Sequence, residues 1–116
     1  MTADDEEEPC DRAVLLAFTI LGKRWNGAII DVLKRGPLSF GALRRAVTGI
    51  SDTVLSDRLG ELAQTRLVVR QVEPGPPVAV TYELTTIGRE LLPTLRLAGE
   101  WAEKYLAPLQ QRAVDG

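Results

Sequence analysis

The run Pro74-Gly75-Pro76-Pro77 constrains the fold more than any other stretch of the chain. Three prolines and a glycine in four positions can neither donate to a β-ladder nor continue a helix, so they form a turn. The flanking segments, Leu67 to Glu73 and Val78 to Leu84, are rich in β-branched residues and read as two strands. A hairpin over residues 67–84 follows, and what precedes it decides the fold class.

Two short helical patterns lie just upstream. The first, SFGALRRAV, places Phe40, Leu43 and Val47 on one face and turns Arg44 and Arg45 partly outward. Thr48-Gly49 then supplies the permissive backbone of a tight helix-helix turn. Ser51 is placed to cap the second helix, in which Leu55, Leu59 and Leu62 form a buried stripe. A helical wheel sets Thr53, Ser56, Asp57, Gly60 and Gln64 opposite that stripe, a small polar face suited to the major groove. Helix, turn, helix and hairpin within about 50 residues leave few alternatives to a helix-turn-helix (residues 39–64) carrying a wing (residues 67–84). The expected fold is therefore mainly α with a small β-hairpin, a winged helix-turn-helix.

Charge distribution agrees with a polyanionic partner. The chain has 116 residues and a net charge of −2. Asp4, Asp5, Glu6, Glu7 and Glu8 put −5 into an N-terminal stretch without apolar pattern, read as a disordered acidic tail over residues 1–9. Residues 23–70 hold nine Lys or Arg against four acids, and residues 71–116 hold four against six. Positive charge is thus concentrated on the proposed reading head.

Other classes are excluded or disfavoured by composition. With one cysteine and no histidine, neither an internal disulfide, nor a zinc site, nor a histidine-based triad can be assembled. There is no Gly-rich phosphate loop or clustered carboxylate pair, so an enzyme is not expected, and no cofactor or metal is implied. No apolar run approaches membrane-spanning length and no signal-peptide pattern is present, so a soluble, cytoplasmic protein is expected.

The flanking helices point to self-association of a single domain over residues 10–116. The first, with Ala13, Val14, Leu16, Ala17, Ile20 and Leu21, is apolar around most of its circumference and closes at Gly22. Lys23 and Arg24 follow as candidate phosphate contacts, and Trp25, Ile29, Ile30 and Leu33 open a second helix with Trp25 as a core anchor. After Thr85, a cap position by residue type, Ile87, Leu91, Leu95, Ala98, Ala102, Tyr105 and Leu109 form a coiled-coil-like seam, widened by Trp101. Pro93 is expected to kink this dimerisation helix, residues 86–112, near its second turn. A homodimer through the N- and C-terminal helices follows.

These residues carry a family resemblance. Leu21-Gly22-Lys23-Arg24-Trp25-Asn26-Gly27, Gly36-Pro37 with Phe40 and Leu43-Arg44, Gly49-Ile50-Ser51, Val54 through Leu62, Pro76-Pro77, and Tyr82-Glu83-Leu84-Thr85 with Gly88 resemble the HxlR-type bacterial transcription regulators over roughly residues 10 to 105. The resemblance implies a homodimeric winged-helix protein that binds operator DNA, several such proteins responding to electrophiles, quinones or oxidants. It implies a recognition helix from Ser51 to Gln64, with Ser51, Thr53, Ser56 and Arg58 as DNA contacts beside Arg44, Arg45, Lys23 and Arg24. Three positions depart from the family pattern: Thr53 and Gly60 replace longer polar or basic residues, and Ala79 stands where a basic wing residue often follows the prolines. Groove specificity is therefore expected from the helix, and only shape or backbone contact from the wing.

Cys10 occupies a place similar to the sensing cysteine of oxidant-responsive members of that family. A helix N-terminus favours negative charge there, while Glu6, Glu7, Glu8 and Asp11 oppose it. As the only thiol it can form an inter-subunit disulfide or a mixed disulfide with a small thiol. The expected function is a sequence-specific transcriptional regulator, a repressor binding an inverted-repeat operator and responding to an electrophile, oxidant or small ligand. The alternative is a winged-helix protein-interaction module without a DNA role.

Overall fold

The computed structural model of the chain describes residues 8–115. The acidic stretch therefore lies outside the described residues up to position 7. The elements follow the expected order: α1 (Arg12–Leu21), α2 (Asn26–Leu33), α3 (Phe40–Ala46), α4 (Asp52–Gln64), β1 (Val68–Glu73), β2 (Ala79–Leu84), α5 (Thr86–Glu90), α6 (Leu92–Tyr105) and α7 (Ala107–Asp115).

Besides Asp11 at α1, three further helix starts are set by side-chain caps. Ser39 Oγ accepts from Ala42 N, Ser51 Oγ from Val54 N, and Thr85 Oγ1 from Gly88 N, each at 3.1 Å. Ile29, Ile30 and Leu33 of α2 pack with Leu43 of α3 and Val47 just after it, Leu55, Leu59 and Leu62 of α4, and Val68 and Leu84 at the base of the hairpin, all buried. The i, i+3, i+4 and i+7 spacing of each helical stripe thus points inward to one core.

The hairpin is antiparallel, running in register from Val68 opposite Leu84 to Glu73 opposite Ala79. Leu38 adds one bridge on its open edge, donating to Tyr82 O at 3.0 Å and accepting from Tyr82 N at 2.8 Å. This bridge ties the α2–α3 connection to the wing. At the base of the hairpin Gly88 is required by contact: a Cβ there would run into the Leu67 carbonyl oxygen. Thr85 closes the same junction, its N–H donating to Leu67 O at 3.1 Å and its hydroxyl to Arg66 O at 2.6 Å.

The closure of α1 at Gly22 is as expected, and the single kinked C-terminal helix is corrected. Gly22 ends α1 but keeps φ at −76°, and the left-handed residue of the α1–α2 turn is Trp25, at φ +82°. That conformation is costly for a bulky residue, and the surroundings hold it: Asn26 Nδ2 donates to Ile20 O at 2.9 Å, and Trp25 packs on the core. Nor is the C-terminal segment one kinked helix. The chain breaks at Leu91, so Pro93 falls in the first turn of α6, where its missing N–H leaves no helical bond unmade, and a second break falls at Leu106.

The molecule is extended, with a radius of gyration of 18.1 Å and extents of 69 × 42 × 25 Å. A compact chain of this length would have a radius of about 13 Å. The difference lies in α1 and the α6–α7 arm, none of whose side chains is buried where α1 and α6 are described.

Candidate DNA-binding surface

α4 is held by three leucines on its inner side and leaves Thr53, Ser56, Asp57, Gly60 and Gln64 exposed on the outer side. Arg44 in the last turn of α3 reaches Asp52 in the first turn of α4 at 3.2 Å, bridging the helix-turn-helix across Gly49, whose φ is +95°. The two helices enclose an open concavity of about 630 Å³ lined by Phe40, Asp52, Thr53, Val54, Ser56 and Asp57. Two hydroxyls, two carboxylates and an aromatic ring thus share one open surface. Such short groups can approach base edges closely and read them by hydrogen bonding.

The expected contact residues divide into free and engaged groups. Thr53 and Ser56 stand open in the concavity, and Arg45 ion-pairs with no described residue. Ser51 is committed as the cap of α4 through its oxygen, leaving its hydroxyl proton to donate. Arg44 is shared with Asp52. Arg24 lies over the Trp25 ring, 4.7 Å from its centroid.

Arg58, expected among the DNA contacts, is engaged by neighbouring acids in the isolated chain. Its side chain is only 21% exposed, and it donates from Nη1 to Asp57 Oδ2 at 3.0 Å and to Glu61 Oε1 at 3.4 Å. Its Nε reaches Arg24 O at 3.4 Å, a residue 34 positions away. Lys23 Nζ meets the other Glu61 oxygen at 2.8 Å. Glu61 therefore gathers both cations, and the hydrogen bond from Lys23, reinforced by the charges of Lys23 and Arg58, holds its carboxyl below the ordinary value despite an opposing contribution from burial. This knot fastens the α1–α2 turn to the flank of the recognition helix. Glu61 and Asp57 were not singled out from sequence as site residues; the signal was their i+3 and i−1 spacing from Arg58, which pairs equally well with solvent.

The wing carries no cation at its tip, and Val72 and Val78 there are exposed. Gln71 Nε2 bonds Glu83 Oε1 across the strands at 3.3 Å. Among the described residues no His, Cys, Asp and Glu cluster could hold a metal ion, and no single helix is long and apolar enough to cross a membrane.

The expected seam separates into two parts. Leu91 and Leu95 pack, with Leu92, against this chain's own core, and Ala102 is half-buried. Ala98, Trp101, Tyr105 and Leu109 remain exposed, joined by Leu97 and Leu106. Trp101 and Tyr105 lie with ring centroids 6.2 Å apart. On α1, Val14, Leu15, Leu16 and Phe18 are each more than half exposed. Cys10 is exposed and free, one residue before Asp11, which caps α1 by accepting from Ala13 N at 2.8 Å.

Known proteins share both the sequence and this arrangement. The transcriptional regulator YodB of Bacillus subtilis is 44% identical over 92 residues, spanning 79% of this chain and 82% of that protein. The structure of its reduced form superposes with a TM-score of 0.75 at 40% identity, covering 87% of this chain and 98% of that one. YodB has also been solved diamide-treated and quinone-bound. The redox regulator HypR in its reduced form matches with a TM-score of 0.78 at 29% identity, over 85% of this chain and 98% of its own. A capped recognition helix, an open polar groove and a hairpin wing are what a DNA-binding transcription regulator requires, and residues 20–110 match the HxlR-like helix-turn-helix family, to which this chain belongs.

Proposed function

We propose that this regulator is a homodimeric repressor that binds an inverted-repeat operator and is released by an electrophile or oxidant acting at Cys10. The observation that carries the dimer is the pair of uncovered apolar helix faces, on α1 and on the α6–α7 arm. Contiguous apolar surface of this extent marks an interface rather than a solvated face. A two-fold axis through the arm presents two copies of α4 to successive major grooves on one side of the duplex.

Thr53 and Ser56 read bases; Ser51, Arg44, Arg45, Lys23 and Arg24 hold phosphates; and Arg58 braces the helix from its flank. The apolar wing tip offers shape contact alone. Support for the effector comes from the exposure of the single thiol beside α1 and from the quinone-bound and diamide-treated forms of YodB. An adduct at the start of α1 would shift the dimer face and thereby the spacing of the two recognition helices. A gel shift with the protein's own upstream region, before and after diamide, tests this reading. Loss of a shifted band on oxidation supports it, and the absence of any specific band refutes it.

A further inference from the structure

Between α2 and the start of α6 lies a cleft of about 370 Å³ lined by Asp31, Lys34, Arg89, Leu92, Pro93 and Arg96. Three of these six are cations. Lys34 Nζ lies 3.0 Å from Asp31 Oδ1, and Arg96 Nη1 lies 3.1 Å from Glu100 Oε2. All four of those side chains are more than half exposed, so both pairs are weak and exchangeable. Arg89 makes no ion pair among the described residues. Leu92 and Pro93 add an apolar surface beside these charges.

We propose that this cleft binds a small organic carboxylate with an apolar ring, and that such a molecule is an effector of the regulator. The proposal rests on the reading of the chain as a DNA-binding dimer. Arg89 and Arg96 offer planar donor forks matched to a carboxylate, and Lys34 adds a third charge. The ring lies on Leu92 and Pro93. Asp31 and Glu100 limit the site to a monoanion, which must displace or share their partners. The volume falls in the lower part of the range for small-ligand sites, about 300–1,000 Å³.

Its location couples it to the DNA-binding head. Asp31 and Lys34 stand at the end of α2, whereas Arg96 stands on α6, which packs on the core through Leu92 and Leu95 and then carries the exposed Trp101 and Tyr105 away from it. A ligand bridging the two fixes the angle between them, and hence the spacing of two recognition helices in a dimer. The site also stays open when the arm is covered. Trp101 and Tyr105 follow Arg96 by five and nine residues, which at about 100° per residue turns them roughly 140° and 180° away from it.

Amide NMR titrations with 2-naphthoate and neutral 2-naphthamide, on wild type and an Arg89→Gln/Arg96→Gln variant, test the site. Expected are saturable shifts at Lys34, Arg89 and Arg96 with the carboxylate only, weakened at least about tenfold in the variant. Equal response to the amide, an unweakened variant, or no saturation below about 10 mM overturns the site. Operator titrations without ligand establish DNA binding separately. On that background, 2-naphthoate should change wild-type operator affinity by at least about threefold and leave the variant unchanged. Binding that leaves wild-type operator affinity unaltered overturns the effector role.

Discussion

Replacing Trp101 by Ala should dissociate the proposed dimer without unfolding the protomer. Trp101 is 56% exposed in the isolated chain. A tryptophan presents on the order of 250 Å², leaving roughly 140 Å² of this one open. If a second copy covers half of that, about 70 Å² per protomer at about 25 cal/mol per Å² gives about 1.8 kcal/mol, and about 3.5 kcal/mol for the two symmetric copies. The dimer dissociation constant should therefore rise about 300- to 400-fold. Sedimentation equilibrium over a concentration series measures it, with thermal melts at low concentration as the control for folding. Leu95→Ala supplies the contrast, since Leu95 packs on its own core and its truncation should lose about 1–2 kcal/mol of protomer stability. A Trp101→Ala protein that self-associates within about twofold of wild type would refute the arm as the interface.

Other outcomes follow from particular contacts. Gly88→Ala should destabilise the fold by about 2–4 kcal/mol in a denaturant melt, because its Cβ meets the Leu67 carbonyl; a stability within about 0.5 kcal/mol of wild type would remove that contact from the account. Glu61 is held below its ordinary value of 4.5 by Lys23 and Arg58, so the stability it contributes is present above that value and is lost as pH falls through its lowered value. Between pH 7 and pH 3, Glu61→Gln should therefore flatten the acid decline of stability, and an unchanged profile would count against the knot. Cys10→Ser should keep operator affinity after diamide while wild type loses it; equal loss in both would exclude the thiol as the switch, since no second cysteine is available.

Local chemistry explains how much of the fold is legible in the sequence. Ser51, Gly49 and the stripe of Leu55, Leu59 and Leu62 each act within a few residues, so cap, turn and buried face were all legible from spacing. The Pro74 to Pro77 turn fixed the hairpin for the same reason. What escaped depends on contacts distant in sequence. The packing of Leu91 and Leu95 against the core goes with the break at Leu91, which periodicity alone does not mark, since both residues fit the seam. Arg58 likewise fits a groove-reading arm by position, and only the approach of Arg24 and Lys23, 34 and 38 residues from their partners, turns it to the flank. Trp25 at a left-handed φ ran against residue preference, because its packing and the Asn26 bond outweigh local backbone cost.

The central claim is that two copies of α4, related by a two-fold axis, read one face of an operator. Hydroxyl-radical footprinting on the upstream region tests it most directly. The account predicts two protected patches of inverted sequence, centred roughly 34 Å apart or at a multiple of that spacing, both fading together in Trp101→Ala. A single protected patch of non-repeated sequence, retained at full strength by Trp101→Ala, would contradict it.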